Sequence, residues 1–428
     1  MKQMQERAAI AVALAPDWIS YCVIALLAIM PFHAFFAIVL GHLFGHQAVF
    51  QAWKEILIVT AMLAVGLLAV SKRKLPIRMT LVNCIALSII ILGLGVSILH
   101  PTGIMPFLYG VKITLLPLIA YLLVQAARHI PMAKLQKLIL WPSYIVAIIA
   151  FLQEFLFSPR LLELIGYGAK TIKPIQLVDP AVSLIRAFST LGGPNQLGAY
   201  LILPTILGLV LAWQRRSYKY AFGSALTALG VVLSFSRSAW LGLAAAIFMS
   251  VFLMGTKTLR RVLIGAAVVA SLGAIVIGPS LPTRLQNTQL QYYLLHGRYN
   301  SQQDVEGSDV GRNQSQAAGI KRIRQNPLGL GLGSAGPASF QSTKPFVTEN
   351  WYYQVAVELG LLGLALYLAF FAMNFEFLAR LPSSLGLALA ASLVGICVAG
   401  FFLHVWTDST LGLTFFVLLG LMQRERRI

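Results

Sequence analysis

Charged residues are scarce in this chain of 428 residues, of which only 11% are Asp, Glu, Lys or Arg. Soluble domains carry roughly 25% charged residues, so an ordinary water-soluble fold is excluded. Acidic residues are the rarer kind, because 14 Asp and Glu stand against 33 Lys and Arg. The formal net charge of +19 would favour nucleic acid as a partner in a soluble protein. In this chain, the positions of the cations along the sequence explain the positive net charge better, because most of the cations follow membrane topology.

Cysteine is also rare, with Cys22, Cys84 and Cys397 far apart in the sequence. None of them belongs to a CxxC or CxxH pair, so the sequence indicates neither a disulfide framework nor a zinc site. The sequence shows neither an internal repeat nor a low-complexity linker between domains. We therefore expect a single membrane domain over residues 1–428, with no metal and no cofactor.

Long apolar stretches dominate the sequence, in which 58% of the residues are hydrophobic. A segment of about 20 apolar residues crosses the hydrocarbon layer as a helix. The sequence predicts an all-α polytopic membrane protein of about twelve transmembrane helices. The candidate stretches are Trp18–Leu40, Lys54–Val70, Thr80–Leu99, Met105–Ala126, Leu138–Phe157, Gln196–Trp213, Tyr220–Phe235, Ser238–Met254, Val262–Leu281, Trp351–Met373, Gly386–Leu403 and Ser409–Leu421.

The cations between these stretches predict the orientation. If the N-terminus is cytoplasmic, every predicted cytoplasmic piece contains Lys or Arg, whereas the short outer loops 100–103 and 404–408 contain neither. This is the positive-inside pattern, and it places both termini in the cytoplasm of a bacterial inner-membrane protein. An alternative is a signal peptide cleaved after Ala15. That cleavage would reverse the orientation, and the basic inner loops favour an uncleaved lead-in.

Two longer outer loops, residues 158–195 and 282–350, carry cations that membrane topology does not explain, since long loops are exempt from the charge rule. These cations suit an anionic ligand at the outer face. They are Arg160, Lys170, Lys173, Arg186, Arg284, Arg298, Arg312, Lys321, Arg322, Arg324 and Lys344.

The larger outer loop is expected to contain two short amphipathic helices that cap an outward cavity. One helix starts at Ser308 or Asp309 and ends before Pro327, with Ala317, Ile320 and Ile323 at helical spacing. The other is expected over 286–300. The pattern Gly331-x-Gly333-x-x-Gly336 formally matches a dinucleotide fingerprint, but it lacks the preceding strand that this fold needs. A flexible glycine turn is the favoured interpretation, with an anion-binding nest as an intermediate possibility.

Further polar residues fall at membrane depth or at its outer rim. Arg237 lies in a tight outer turn, where a cation has no topogenic role. Lys54, Glu55, Lys112 and Glu358 lie inside predicted spans, where ionisable groups face a cavity or a partner. For these four residues, structural pairing and function both remain open.

At these positions the sequence resembles the superfamily of O-antigen ligases and polymerases. The resemblance covers most of the chain, and its motifs share an outer placement. They are RAFSTLGGPNQLGAYL (186–201), LSFSRSAWLG (233–242), DVGR followed by NPLGLGLG (309–333), ENWYYQVAVELGLLGL (349–364), WKEIL around Lys54 and HVWTD around His404.

The resemblance implies a C-type membrane glycosyltransferase fold and transfer of a glycan from an undecaprenyl diphosphate carrier to an acceptor hydroxyl at the outer face. The acceptor is another lipid- or glycan-linked molecule, and no metal is needed. Arginines at the outer rim would hold the diphosphate, and our candidates are Arg186, Arg237 and Arg312. Other expected substrate-binding residues are Asn195, Asn350, Tyr352 and His404.

Glu349 is the expected catalytic base, and it departs from the family pattern, which has histidine at this position in the ligases. The change favours a polymerase, or a ligase for another surface glycan. A helix cap is the alternative role of Glu349, and His404 with Asp408 is a second outer pair. The competing functions are a solute transporter of the bicarbonate-uptake kind and a peptidoglycan-type polymerase.

The orientation can be tested by placing single cysteines in a variant that lacks Cys22, Cys84 and Cys397. An impermeant thiol reagent should label positions 170 and 307 in intact cells, because both are expected outside. Positions 72, 216 and 257 should react only after the membrane is opened. Labelling of position 216 in intact cells would reverse the orientation.

Overall fold

The computed structural model describes residues 2–73, 76–179, 182–265 and 308–425. Almost all of this part is helical. The helices are α1 (Lys2–Ile29), α2 (His33–Phe44), α3 (Gln47–Gln51), α4 (Trp53–Lys72), α5 (Leu81–Leu99), α6 (Ile104–Gly110), α7 (Leu116–Leu123), α8 (Met132–Phe155), α9 (Pro159–Leu164), α10 (Pro194–Arg215), α11 (Tyr218–Leu233), α12 (Arg237–Met254), α13 (Ser308–Gln325), α14 (Trp351–Arg380), α15 (Ser384–Ala399) and α16 (Ser409–Glu425). A further helical stretch occupies 257–265.

Eight candidate spans in the described residues are long and apolar enough to cross a membrane, and α11 and α15 are shorter apolar helices. The all-α polytopic fold is thus confirmed. The predicted span Val262–Leu281 and the predicted helix over 286–300 lie almost wholly or wholly outside the described residues. The one sheet in the described part is an antiparallel pair of short strands within residues 158–195, β1 (Leu177–Asp179) and β2 (Val182–Ile185).

Several spans contain breaks in their helical structure. The first span changes from α1 to α2 through a 3-10 turn at Met30–Phe32, where Pro31 has no N–H to continue the helix. The fourth span joins α6 to α7 through a π-helical turn at Val111–Leu115. Such turns occur often at functional sites, and this one contains Lys112.

Helices α12 and α15 pack with their backbones in contact through paired glycines. A Cβ added at Gly395 would lie 2.3 Å from the carbonyl oxygen of Gly242. Small residues allow this close approach of helices in a membrane. Gly242 is near the start of α12 and Gly395 near the end of α15, so Arg237 and Gly400 lie at the same end of the pair.

The glycine segment 327–336 is inserted beside a break in α14. Gly360 has φ +74° and interrupts the helix, which frees backbone groups on both sides. Leu330 N–H donates to Val357 O at 2.8 Å, and Gly331 N–H donates to Glu358 O at 3.0 Å. The segment is thus a glycine turn, as expected, and it is largely buried and held by hydrogen bonds. The donors of this segment that would form an anion nest are used by protein acceptors, and the segment follows a helix rather than the strand that a nucleotide fold requires.

Glu358 is fully buried and joins the same assembly. Its Oε1 accepts the N–H of Gly333 at 3.0 Å, and its Oε2 accepts the hydroxyl of Thr114 at 3.3 Å. The carboxylate thus connects α14 to the glycine segment and to the π-helical turn. Of the two roles that the sequence left open for Glu358, the structure shows internal pairing.

Helix α13 begins at Ser308 and ends at Gln325, as its start signal and Pro327 predict. The predicted apolar face is not its packed face, because Ala317 and Ile320 are exposed. Gly319 is buried instead, and a Cβ added there would lie 3.3 Å from Thr348 and 3.5 Å from Tyr353. A side chain as small as glycine's lets α13 pack directly on the start of α14.

We predict that Gly333→Ala destabilises the protein. Gly333 has φ +81°, and an added Cβ would lie 2.2 Å from Pro106 O. Backbone strain alone costs about 1–3 kcal/mol, and the clash adds to it. The control is Gly95→Ala in α5, where an added Cβ has no neighbour within 4 Å. Equal melting temperatures of the two purified variants would contradict the role assigned to the glycine segment.

Candidate substrate-binding site

Arg186 follows β2 and reaches across to the turn between α11 and α12. Its Nη2 donates to Asn195 Oδ1 at 2.9 Å, and its Nε donates to Ser234 O at 3.2 Å. The backbone is fixed as well, because Ala187 N–H donates to Leu233 O at 3.0 Å. Asn195 and Ser234, its two partners in the described part of the chain, are neutral, so these contacts orient the positive charge without neutralising it.

Two helix N-termini meet at this point. Asn195 lies in the first turn of α10, and Arg237 is the first residue of α12. Gly198 brings the helices together, since an added Cβ would lie 2.6 Å from Ala239 and 2.7 Å from Ser234 Oγ. The N-terminal end of a helix carries partial positive charge and unpaired N–H groups, which together favour an anion.

Arg186 and Arg237 lie close enough to interact electrostatically. Burial and the neighbouring charge of Arg237 lower the pKa of Arg186 to about 10, so Arg186 is still protonated at neutral pH. A cation is unfavourable at a helix N-terminus, and Arg237 occupies that position beside a second arginine. The arrangement concentrates positive charge at one place. A multiply charged anion would complement it.

The residues around Glu349 form the start of α14. Asn350 is the N-cap of α14, because its Oδ1 accepts the N–H groups of Tyr352 and Tyr353 at 2.9 and 3.2 Å. Glu349 is therefore not the cap. It is half-buried and has φ +47°, a left-handed conformation that is uncommon for any residue except glycine. Such outliers cluster at ligand and active sites.

Asn350 and Tyr352 use their polar groups within the fold. The hydroxyl of Tyr352 donates to Cys397 O at 2.7 Å, and both side chains are buried. The N–H of Trp351 donates to Gly400 O at 2.9 Å. This last bond places the start of α14 at the end of α15, and therefore at the same end of the bundle as Arg237.

Arg312 lies on α13, which packs on the start of α14 through Gly319. Its helix is thus next to Glu349. Arg322 of the same helix lies 3.7 Å from the ring centroid of Phe346, and burial lowers its pKa. From the sequence, Arg322 was only one of several cations expected at the outer face. Its contact with Phe346 depends on the folded structure.

His404 and Asp408 have separate roles. Nδ1 of His404 lies 2.7 Å from Oε1 of Gln354, and burial lowers the pKa of His404 to about 4. The imidazole is thus neutral and donates from Nδ1. Asp408 caps α16, since its Oδ1 accepts the N–H of Leu411 at 3.0 Å. Sequence reasoning did not single out Gln354, whose side-chain amide contacts both His404 and Glu358.

Lys54, Glu55 and Lys112 form a cluster near this end of the bundle. Oε1 of Glu55 lies 3.0 Å from Nζ of Lys112 and 3.4 Å from Nζ of Lys54. The structure thus shows the pairing that the sequence left open. The segment 158–195 contacts this region, because Thr190 Oγ1 donates to Pro31 O at 2.7 Å, just before His33.

Two comparisons with known proteins bear on this site. The sequence family described as O-antigen ligase matches residues 222–368, which include Arg237, Arg312 and Glu349. An O-antigen polymerase of Salmonella muenchen is 21% identical over 298 residues, which cover 67% of this chain and 72% of that protein. Both comparisons show that the chain is similar to the superfamily of O-antigen ligases and polymerases. It is a multi-pass protein of the bacterial inner membrane.

Proposed function

We propose that this protein transfers a glycan from an undecaprenyl diphosphate carrier to an acceptor hydroxyl, at the outer face of the inner membrane. The observation that carries this proposal is the pair Arg186 and Arg237 at two converging helix N-termini. A lipid diphosphate has an anionic head and an apolar tail. It fits a cationic site at the rim of a helical bundle.

The arginines would act both in binding and in the reaction. Each charge-assisted hydrogen bond to a phosphate oxygen contributes roughly 1.5–3 kcal/mol. When the bond between the sugar C1 and the phosphate oxygen breaks, its electron pair moves to the diphosphate. Cations fixed beforehand stabilise that developing charge. Arg186, Arg237 and Arg312 have this role in the proposal, and Asn195 orients Arg186 for it.

Glu349 is the proposed base that takes the proton from the acceptor hydroxyl as that oxygen bonds to C1. Glu349 has a left-handed backbone conformation, and it lies at the same end of the helical bundle as Arg237. A base should face the anomeric carbon from the side opposite the leaving group. Asn350, which caps α14, would hold Glu349 at this position.

We favour a polymerase over a ligase. Glu349 stands where the resembling ligases have histidine, and the curated relative is named a polymerase. In this reading the acceptor is a second lipid-linked glycan. The transporter alternative gains no support from either the matched family or the relative, since both names refer to O-antigen assembly.

We predict that Arg186→Ala, Arg237→Ala and Arg312→Ala each abolish glycan transfer, since each removes a charge from the diphosphate site. Lysine at these positions should restore only part of the activity, because an ammonium lacks the planar fork of guanidinium. The assay is transfer between lipid-linked glycans by purified protein reconstituted in liposomes. The matched control is Arg160→Ala, which removes an exposed arginine of the first outer loop and should keep activity.

Melting temperatures of the same variants separate loss of function from loss of folding. Full activity in two of the three alanine variants would overturn the diphosphate site. Absence of transfer by the unaltered protein, together with uptake of a solute, would favour the transporter instead.

We also predict that Glu349→Gln lowers the transfer rate by roughly 10²- to 10⁴-fold, the usual contribution of general base catalysis. Glutamine keeps the shape of the side chain and its hydrogen bonding but does not accept the proton. Donor binding should change little, and Glu349→His should retain measurable activity. Rates and donor affinities are to be measured in the same lipid. Near-normal turnover by the glutamine variant would remove Glu349 from the mechanism.

A further inference from the structure

A chain of hydrogen bonds joins Trp53, His33 and Lys54 where α2 meets α4. Nε1 of Trp53 donates to Nδ1 of His33 at 2.9 Å. The other ring nitrogen of His33, Nε2, lies 2.9 Å from Nζ of Lys54. Nζ also lies 2.9 Å from the carbonyl oxygen of Gln51. The side chain of Lys54 is only 1% exposed, so water does not replace these contacts.

The chemistry of these groups fixes the direction of the chain. An indole N–H only donates, so Nδ1 of His33 must accept. A neutral imidazole has one accepting and one donating nitrogen, so Nε2 carries the proton and must donate to Nζ of Lys54. An ammonium group has three donors and no acceptor. The chain is therefore satisfied only when Lys54 is an uncharged amine, which accepts from His33 and donates to the carbonyl oxygen of Gln51.

Titratable groups from four segments face Lys54. His33 faces it from α2, Glu55 from its own helix, Lys112 from the π-helical turn and Asp408 from the segment before α16. Glu55 and Lys112 lie 3.0 Å apart and balance one another when Lys54 is neutral. The carboxylate of Asp408 accepts the N–H of Leu411.

We propose that Lys54 is an uncharged amine in the resting protein and forms a proton-accepting site distinct from Arg186 and Glu349. Uptake of a proton adds one positive charge to the cluster and converts Lys54 from acceptor to donor. His33 then loses its hydrogen bond to either Lys54 or Trp53. Proton binding at Lys54 is thereby coupled to the hydrogen bond between α2 and α4.

The first test is the tautomer of His33 in the full-length protein. Nitrogen NMR of protein labelled with ¹⁵N-histidine, in lipid nanodiscs at neutral pH, reports which ring nitrogen carries the proton. The His33→Gln variant identifies the signal. A neutral ring with the proton on Nε2 is expected. A proton on Nδ1, or on both nitrogens, would overturn the proposal, since Lys54 would then be free to be charged.

The second test is a double-mutant cycle with permanently charged arginine at position 54. Lys54→Arg should lower the melting temperature, because guanidinium and His33 both become donors. In the Trp53→Phe background His33 has no obligate donor beside Nδ1 and can accept from arginine. In this background, Lys54→Arg should lower the melting temperature by at most about half as much, as expected for coupled neighbours.

Any packing cost of the larger arginine side chain is present in both backgrounds and cancels. Equal losses with and without Trp53 would mean that Lys54 is an ordinary charged partner of Glu55, and would refute the proposal. Neither test involves glycan transfer, so its outcome is independent of the proposed enzymatic activity.

Discussion

The architecture depends on supplying hydrogen-bond partners to backbone groups where transmembrane helices are interrupted. In lipid an unpaired N–H or C=O costs several kcal/mol, so broken helices occur only where protein or water satisfies them. The break at Gly360 is satisfied by the glycine segment, which donates to Val357 O and Glu358 O and accepts from Leu361. This insertion fixes the start of α14, on which α13 packs.

The same constraint shapes the positively charged end of the bundle. Arg186 and Arg237 repel one another, and burial adds to the cost of charging Arg186. The neutral acceptors Asn195 and Ser234 hold the guanidinium of Arg186 without cancelling its charge. A site that maintains like charges in proximity has electrostatic energy to gain from an anion. That gain is what the proposed diphosphate donor would supply.

The cluster of Lys54, Glu55 and Lys112 manages charge in a different way. The protonation state of Lys54 depends here on the direction of its hydrogen bonds. The indole of Trp53 fixes the tautomer of His33, which in turn requires a neutral Lys54. The indole N–H of Trp53, which can only donate, thus determines the protonation state of Lys54 through His33.

Much of this protein follows from sequence alone. Apolar stretches long enough to span a bilayer determine an all-α membrane fold, and the signals at Ser308 and Pro327 locate α13. The order of the motifs around Arg186, Arg237 and Glu349 indicates the superfamily. These are local properties, because hydrophobic length, helix caps and motif identity depend on neighbours in the chain.

Tertiary structure alone decided which polar groups meet. The glycine pattern at 331–336 is locally compatible with a turn, a nest or a nucleotide site, and only the break in α14 makes it a buried structural segment. Likewise, the apolar residues of α13 suggested the wrong packed face, since Gly319 permits closer contact than Ile320. Partners such as Gln354 for His404, or His33 for Lys54, are separated by 50 and 21 positions. Their pairing depends on helix packing, which no local pattern specifies.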